Sequence, residues 1–381
     1  MGGSYLRKKR DTRKRRFVLN TGATNLTADP ESLYSAKAFD DTLRGAYVEE
    51  VNFKNDNYDA EQVTSAGFAS LDLPLGRRLR STLGVRIEQG SQEVRTFDLF
   101  RPAEVTALGR LENTDVLPSL NLTASLTEHL QLRFGASRTL NRPDLNELSP
   151  SPSLEFVGGY VKFGNPSLVR ARMDNLDARI EFYPGLGEVF AIGAFTKRLY
   201  DPVELALYVD GSQISVAPQN AERGRNSGLE FEARSGLGRF WKPLSRLSLN
   251  LNAALIRSRV ELGAAGRDLG TKAHPLQGQA DYTVNGALTL ALPKERGELT
   301  MLVCVVGERL RYLGYAPTSD VYERPVTTHD LTLNLRVSPR WRMKLSGRNL
   351  FDAVQRDFQD GAEISRREIG RSASIALSYG S

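Results

Sequence analysis

Leu247-Ser248-Leu249-Asn250-Leu251-Asn252-Ala253-Ala254-Leu255 is the stretch whose reading decides the fold. Leu247, Leu249, Leu251, Ala253 and Leu255 recur at every second position, with Ser248, Asn250 and Asn252 between them. Successive side chains of a β-strand point to opposite faces, so this stretch makes a strand with one apolar and one polar face. The same period returns along the chain. Leu176, Ala178, Ile180 and Phe182 alternate with Asp177, Arg179 and Glu181, and Ala373, Ile375, Leu377 and Tyr379 with Ser372, Ser374 and Ser378. About fourteen such segments are found, and no amphipathic helix longer than a turn or two. The predicted fold is all-β and antiparallel.

The connections alternate between short and long. Pro74 to Arg77, Thr127 to His129, Pro184 to Gly187, Pro293 to Arg296 and Ser338 to Arg340 are short, and glycine or proline marks most of them. Residues 99–114, 140–170, 205–224, 262–278, 312–326 and 352–366 are predicted as longer loops, and so is a stretch from about 17 to 62. Long loops kept to one end are a feature of transmembrane β-barrels rather than sandwiches. Phe182, Tyr183, Phe240, Trp241, Trp341 and Tyr379 fall near the short turns, where an interfacial aromatic girdle belongs.

Composition fits that reading. The 381 residues are 40% apolar and 25% charged, which excludes a collagen-like or disordered chain. No apolar run approaches the roughly 20 residues of a membrane-spanning helix, whereas a strand needs an apolar residue only at every second position. Cys304 is the one cysteine and His129, His274 and His329 are far apart, so no metal-ligand spacing and no metal site are predicted. Neither a catalytic constellation nor a phosphate or dinucleotide loop is present, and no cofactor or enzymatic activity is expected. The net charge of +6 reflects in part the basic run Arg7 to Arg16. Alone it could be a nucleic-acid arm; as the outer end of a strand it would instead meet lipid headgroup phosphates.

Several motifs, in order, resemble those of TonB-dependent outer-membrane receptors. Ser137-Arg138-Thr139-Leu140-Asn141-Arg142-Pro143 with Glu147-Leu148 and Gly164-Asn165-Pro166-Ser167-Leu168 carry the resemblance first. Asn175 to Asp177, Phe195 to Lys197, Asp201-Pro202-Val203-Glu204, Asn220-Ala221-Glu222, Gly228 to Glu230 and Asn349-Leu350-Phe351-Asp352 continue it. Pro275 to Gln279, Gly307 to Leu310 and Tyr322 to Pro325 are similar to further family elements.

The resemblance covers roughly residues 60–380 and implies the C-terminal part of a barrel of about 22 strands. Residues 1–381 would be one partial barrel domain, without the signal peptide, TonB box and plug of the family. It implies an outer-membrane location in a Gram-negative bacterium and energy-dependent uptake of a scarce nutrient such as a ferric siderophore, vitamin or glycan. The implied partners are outer-membrane lipid, lipopolysaccharide, a small nutrient ligand and the TonB complex acting through the plug, with no nucleic acid among them. A passive porin-like barrel or a soluble all-β binding module is the alternative. Arg142, Pro143, Glu147, Gly164, Asn165 and Pro166 are the candidate substrate-binding or gating residues, and shaping the exits of two strands is their other reading. Asp177, Arg179, Glu181, Glu230, Glu232 and Arg234 are expected to line a hydrated, salt-bridged interior.

Overall fold

The computed structural model describes residues 1–20, 29, 31, 47–154, 159–210, 213–263, 273–315 and 318–380. Among these, fourteen strands follow one another in a single sheet, each hydrogen-bonded to the next in chain order. They are β1 (Gly2–Thr12), β2 (Asn57–Leu75), β3 (Leu79–Asp98), β4 (Arg101–Ser125), β5 (Leu130–Asn141), β6 (Ala171–Phe182), β7 (Val189–Tyr200), β8 (Arg223–Gly236), β9 (Leu247–Glu261), β10 (Tyr282–Ala291), β11 (Gly297–Val306), β12 (Val326–Arg336), β13 (Trp341–Arg348) and β14 (Ser372–Tyr379). Every neighbouring pair is antiparallel. The two-residue strand Ala273–His274 adds to the outer end of β9. β1 and β14 each pair on one side only, so the described strands form an open wall.

The register explains the two-residue period. Leu132, Ile180, Ile192, Phe231, Ala253 and Val284 stand opposite one another in one row across β5 to β10. Ile192 is 52% exposed and Phe231 37%, on a face that none of the described residues covers. One residue along, the row reads Arg133, Arg179, Gly193, Glu230, Ala254 and Thr283. This is the polar face. Arg179 Nε donates to Glu181 Oε1 at 2.8 Å, Arg133 pairs with Glu181 at 2.9 Å, and Arg179 also pairs with Glu232. A wall apolar on one side and ion-paired on the other suits lipid outside and water inside.

Phe182, Phe240, Trp241, Trp341 and Tyr379 are exposed at the short-turn end. Trp341 and Tyr379 are directly opposed, with ring centroids 5.1 Å apart. Tyr183 departs from the expected girdle: its hydroxyl donates to Glu181 Oε2 at 2.7 Å, which turns it to the polar face. The odd-numbered side of β6 faces inward, so Tyr183 follows Glu181 rather than Phe182.

The long-loop end is more ordered than predicted. Residues 99–114 are not a loop, because β3 and β4 run on to a turn at 99–100. β4, at about 3.4 Å per residue, is roughly 85 Å long against a hydrocarbon core of about 30 Å. Its outer half therefore lies in water, where apolar alternation is not needed and backbone ladder bonds alone keep the strand. The stretch from 17 to 62 likewise contains the paired strands Phe17–Asn20 and Tyr47–Glu50 and the start of β2, while 21–28, 30 and 32–46 lie outside the described residues.

The remaining loops build two small sheets. Val203–Asp210, Gln213–Asn220, Val161–Lys162 and Ser153–Leu154 form one. Arg309–Tyr312, Val321–Glu323, Val354–Gln359 and Ala362–Glu368 form the other. A bridge between Ala206 and Leu313 joins the two.

Candidate functional site

The loop between β5 and β6 folds back over the polar face of β2 to β4. Leu145, Leu148 and Leu168 are buried with Tyr58, Ala60 and Val94. Ala60 and Val94 are directly opposed on the same side of the wall as Gln62 and Gln92, so the loop lies inside. Gln92 Nε2 donates to Pro143 O at 2.8 Å, and the Thr96 and Ser149 hydroxyls are 3.2 Å apart. The loop thus exchanges water for wall contacts along its length.

Arg142 is pinned to the wall. It pairs with Glu88, which also accepts from Arg86 Nε at 2.8 Å, while Asp115 takes Arg170 at 2.7 Å and lies 3.8 Å from Arg142 Nη2. The carboxylates of Glu88 and Asp115 are directly opposed across β3 and β4. Gly90 leaves room for this arrangement: a Cβ there would lie 2.5 Å from the Arg142 guanidinium. These contacts spend the charge of Arg142 on the loop's own seat.

The other candidates are brought together, again mainly by backbone. Asp144 N donates to Glu147 Oε2 at 2.7 Å and Glu147 N to Asp144 O at 2.9 Å, closing a turn. Gly164 N donates to Ser149 O and Asn165 N to Glu147 O, at 2.9 and 2.6 Å. A Cβ on Gly164 would meet Ser149 O at 2.2 Å and two further carbonyls at 2.6 Å, so only glycine fits. Asn165 Oδ1 accepts from Ser167 N at 2.9 Å, and its Nδ2 donates to Pro218 O at 3.1 Å, tying this loop to the next. Pro166 packs where Gly109 on β4 carries no side chain.

Of these residues Glu147 faces a cleft. A cavity of about 420 Å³ opens between the loops, lined by Glu147, Lys162, Gln277, Arg309, Arg311 and Glu323 among others. Glu323 lies between two guanidiniums, 2.8 Å from Arg309 Nη2 and 3.2 Å from Arg311 Nη1, and Arg311 Nε is 3.4 Å from Asp357. Burial pushes the Glu147 carboxyl up, against the lowering effect of the hydrogen bond from the Asp144 backbone. The cleft offers fixed guanidiniums, carboxyls and an amide, which suits a polar ligand with both donors and acceptors. Lys162, Gln277, Arg309, Arg311 and Glu323 went unassigned in the sequence reading. Four of them stand in or beside motifs quoted above, but the motifs do not show which loops meet. Among the described residues no group of three or more His, Cys, Asp or Glu is placed to hold a metal ion.

This architecture is matched by known proteins. The sequence fits the family described as TonB dependent receptor-like, beta-barrel, over residues 4–350. The chain belongs to that family. No match was found among curated proteins. Among solved structures, it is similar to the ferric-catecholate import receptor Fiu of E. coli K12 (13% identity, TM-score 0.61, 85% of this chain and 46% of that one). It also resembles the ferric yersiniabactin uptake receptor FyuA of Yersinia pestis (16%, TM-score 0.60, 88% and 48%). A third is a mutant of the ferric enterobactin receptor PfeA of Pseudomonas aeruginosa (17%, TM-score 0.54, 99% and 59%). The chain spans roughly half the length of these receptors, and at this identity the likeness is one of fold.

Proposed function

We propose that the chain forms barrel wall and outer loops of an outer-membrane receptor that takes up a scarce nutrient through the TonB system. The observation that carries this reading is the family match over residues 4–350 on a wall whose apolar face is bare. Residues 1–381 serve as one barrel domain, and the TonB complex acts through a plug that none of the described residues forms. A ferric siderophore is the favoured cargo, because the similar structures are receptors for ferric enterobactin, ferric catecholates and ferric yersiniabactin. The loop 140–170, with Glu147 in the cleft, takes part in holding or admitting that ligand. The protein is a receptor of the Gram-negative outer membrane and not an enzyme.

Outer-membrane lipid covers the apolar face. Lipopolysaccharide phosphates are the proposed partners at the outer rim near the basic run, though Arg7, Arg13, Arg15 and Arg16 are already paired with Glu61, Asp59, Glu50 and Asp56. No nucleic-acid partner is proposed.

The test is uptake of radio-iron as ferric enterobactin by iron-starved cells that express the gene encoding this chain, with and without a functional tonB gene. Saturable uptake lost without TonB is expected. Uptake unaffected by TonB, with free conductance in a planar bilayer, would establish the passive barrel, and a protein soluble without detergent would establish the binding module.

A further inference from the structure

Three long loops converge on one side chain. Gln277 lies between β9 and β10, and Gly278 after it takes φ +74°, a left-handed turn that glycine favours. Gln277 Oε1 accepts from Leu205 N at 2.5 Å, and its Nε2 donates to Leu205 O at 3.0 Å and also to Arg311 O. Its backbone N–H donates to Glu204 Oε2 at 3.3 Å, and the next N–H, of Gly278, donates to Leu310 O at 2.8 Å. One amide therefore closes the edge of the 203–210 strand against the 309–312 strand. Leu207 N to Leu313 O at 2.8 Å and Leu313 N to Leu205 O at 3.2 Å continue that seam.

Glu204 sits at its end, 1% exposed, on the side of its strand that carries Ala206 into the cluster of Ala221, Val260, Leu262, Leu310 and Leu313. Among the described residues the one hydrogen-bond partner of its carboxyl is Gln277 N. Titratable groups on the elements packed around it are Tyr208 on its own strand, Glu222 beside Ala221, Arg259 and Glu261 on β9, His274 and Asp281 on the 273–281 loop, and Arg309, Arg311, Tyr315, Asp320, Tyr322 and Glu323 on the segment 309–323. None bonds to Glu204. Arg309 and Arg311 are held by Glu323 and Asp357, and the His274 ring lies against Pro275 O at 2.6 Å.

We infer that Gln277, seated on the carboxyl group of Glu204, is the latch that binds these three loops into one cap. The inference concerns how the loops hold together and stands whatever the cleft binds. A buried carboxyl without a cation is stable only when neutral, and burial pushes the Glu204 carboxyl up to about 8. The closed cap keeps a proton that the open cap, with Glu204 in water at its ordinary value near 4.5, releases. Opening is therefore favoured as pH rises through that window, by about tenfold per pH unit, and levels off above it.

The experiment is hydrogen–deuterium exchange on the whole detergent-solubilised chain at pH 6, 8 and 9.5, corrected for intrinsic exchange. In the wild type, protection of 203–210 and 309–312 should fall about 50-fold from pH 6 to 8 and change less beyond. In Glu204→Gln it should stay constant across the series. In Gln277→Ala both segments should lose protection at pH 6 while β9 to β11 keep theirs. A wild-type cap insensitive to pH, or a pH response that survives in Glu204→Gln, overturns the latch. So does a Gln277→Ala chain that loosens only residues 274–281. If Gln277→Ala does not assemble, the Glu204→Gln series decides alone.

Discussion

Arg142 and Glu88, 54 residues apart, form an ion pair on the polar face of the wall with both side chains only 10% exposed. The pair fixes where the loop from β5 to β6 begins. Removing one partner of a buried ion pair costs about 3–5 kcal/mol, here toward the lower end because Glu88 keeps Arg86, whereas removing both is milder. Arg142→Met should therefore lower the opening free energy of residues 143–168, read by hydrogen exchange, by about 3 kcal/mol. The double variant Arg142→Met, Glu88→Gln should recover most of that loss. Equal effects in single and double variants would show that the pair does not seat the loop.

Leu148 tests whether the loop has a core of its own. It is fully buried against wall residues that include Tyr58 and Val94. Leu148→Ala should weaken the seating of the loop by about 2–5 kcal/mol without changing the heat-modifiable gel mobility of the barrel. A loss of barrel assembly would mean that loop and wall fold as one unit.

The short-turn end should respond to acid. Glu188 accepts from Arg239 Nη2 at 2.6 Å and from Ser235 Oγ at 2.6 Å, and the Arg239 and Ser235 hydrogen bonds hold its carboxyl down to about 2. A carboxylate lowered in the folded state stabilises above its ordinary value near 4.5, and that contribution is lost as pH falls from there toward 2. Amides of residues 236–245 should lose protection between pH 5 and 3 in the wild type. In Glu188→Gln they should be less protected at pH 6 and indifferent to acid.

The two faces of β8 should differ sharply. Leu229 is 45% exposed on the apolar face and Glu230 follows on the polar one. Leu229→Arg should cost about 2–4 kcal/mol in barrel stability if it lies near the bilayer midplane, while Glu230→Arg should cost far less. Denaturant titration in lipid vesicles gives both numbers, and equal costs would argue against a lipid-facing wall.

The wall was legible in the sequence because one physical rule, an apolar residue at every second position, governs each membrane-crossing strand. Leu247 to Leu255 obeys it, and the expectation of about fourteen strands agrees with the wall. The rule lapses where strands leave the membrane, so the outer half of β4 read as a loop. It lapses again in Val203–Asp210, where Glu204 and Ala206 on one face and Leu205 and Leu207 on the other are all buried or half-buried, leaving no polar side to mark a strand. The motif around Arg142 was visible. Its partners Glu88 and Gln92 were not, because contacts across more than fifty residues follow from register. The cleft assembled by Gln277, Arg309, Arg311 and Glu323 depends on loop-to-loop contacts that carry no period at all.

Spin labels placed singly at Leu249, Asn250, Leu251 and Asn252, in the chain reconstituted in vesicles, test the central claim most directly. Collisions with oxygen, which concentrates in lipid, and with a water-soluble nickel chelate are compared at each site. Labels at 249 and 251 should favour oxygen and those at 250 and 252 the chelate, a period of two set by the register of β9 with β8 and β10. Equal access of the chelate to all four positions would contradict a wall with lipid on one face and water on the other.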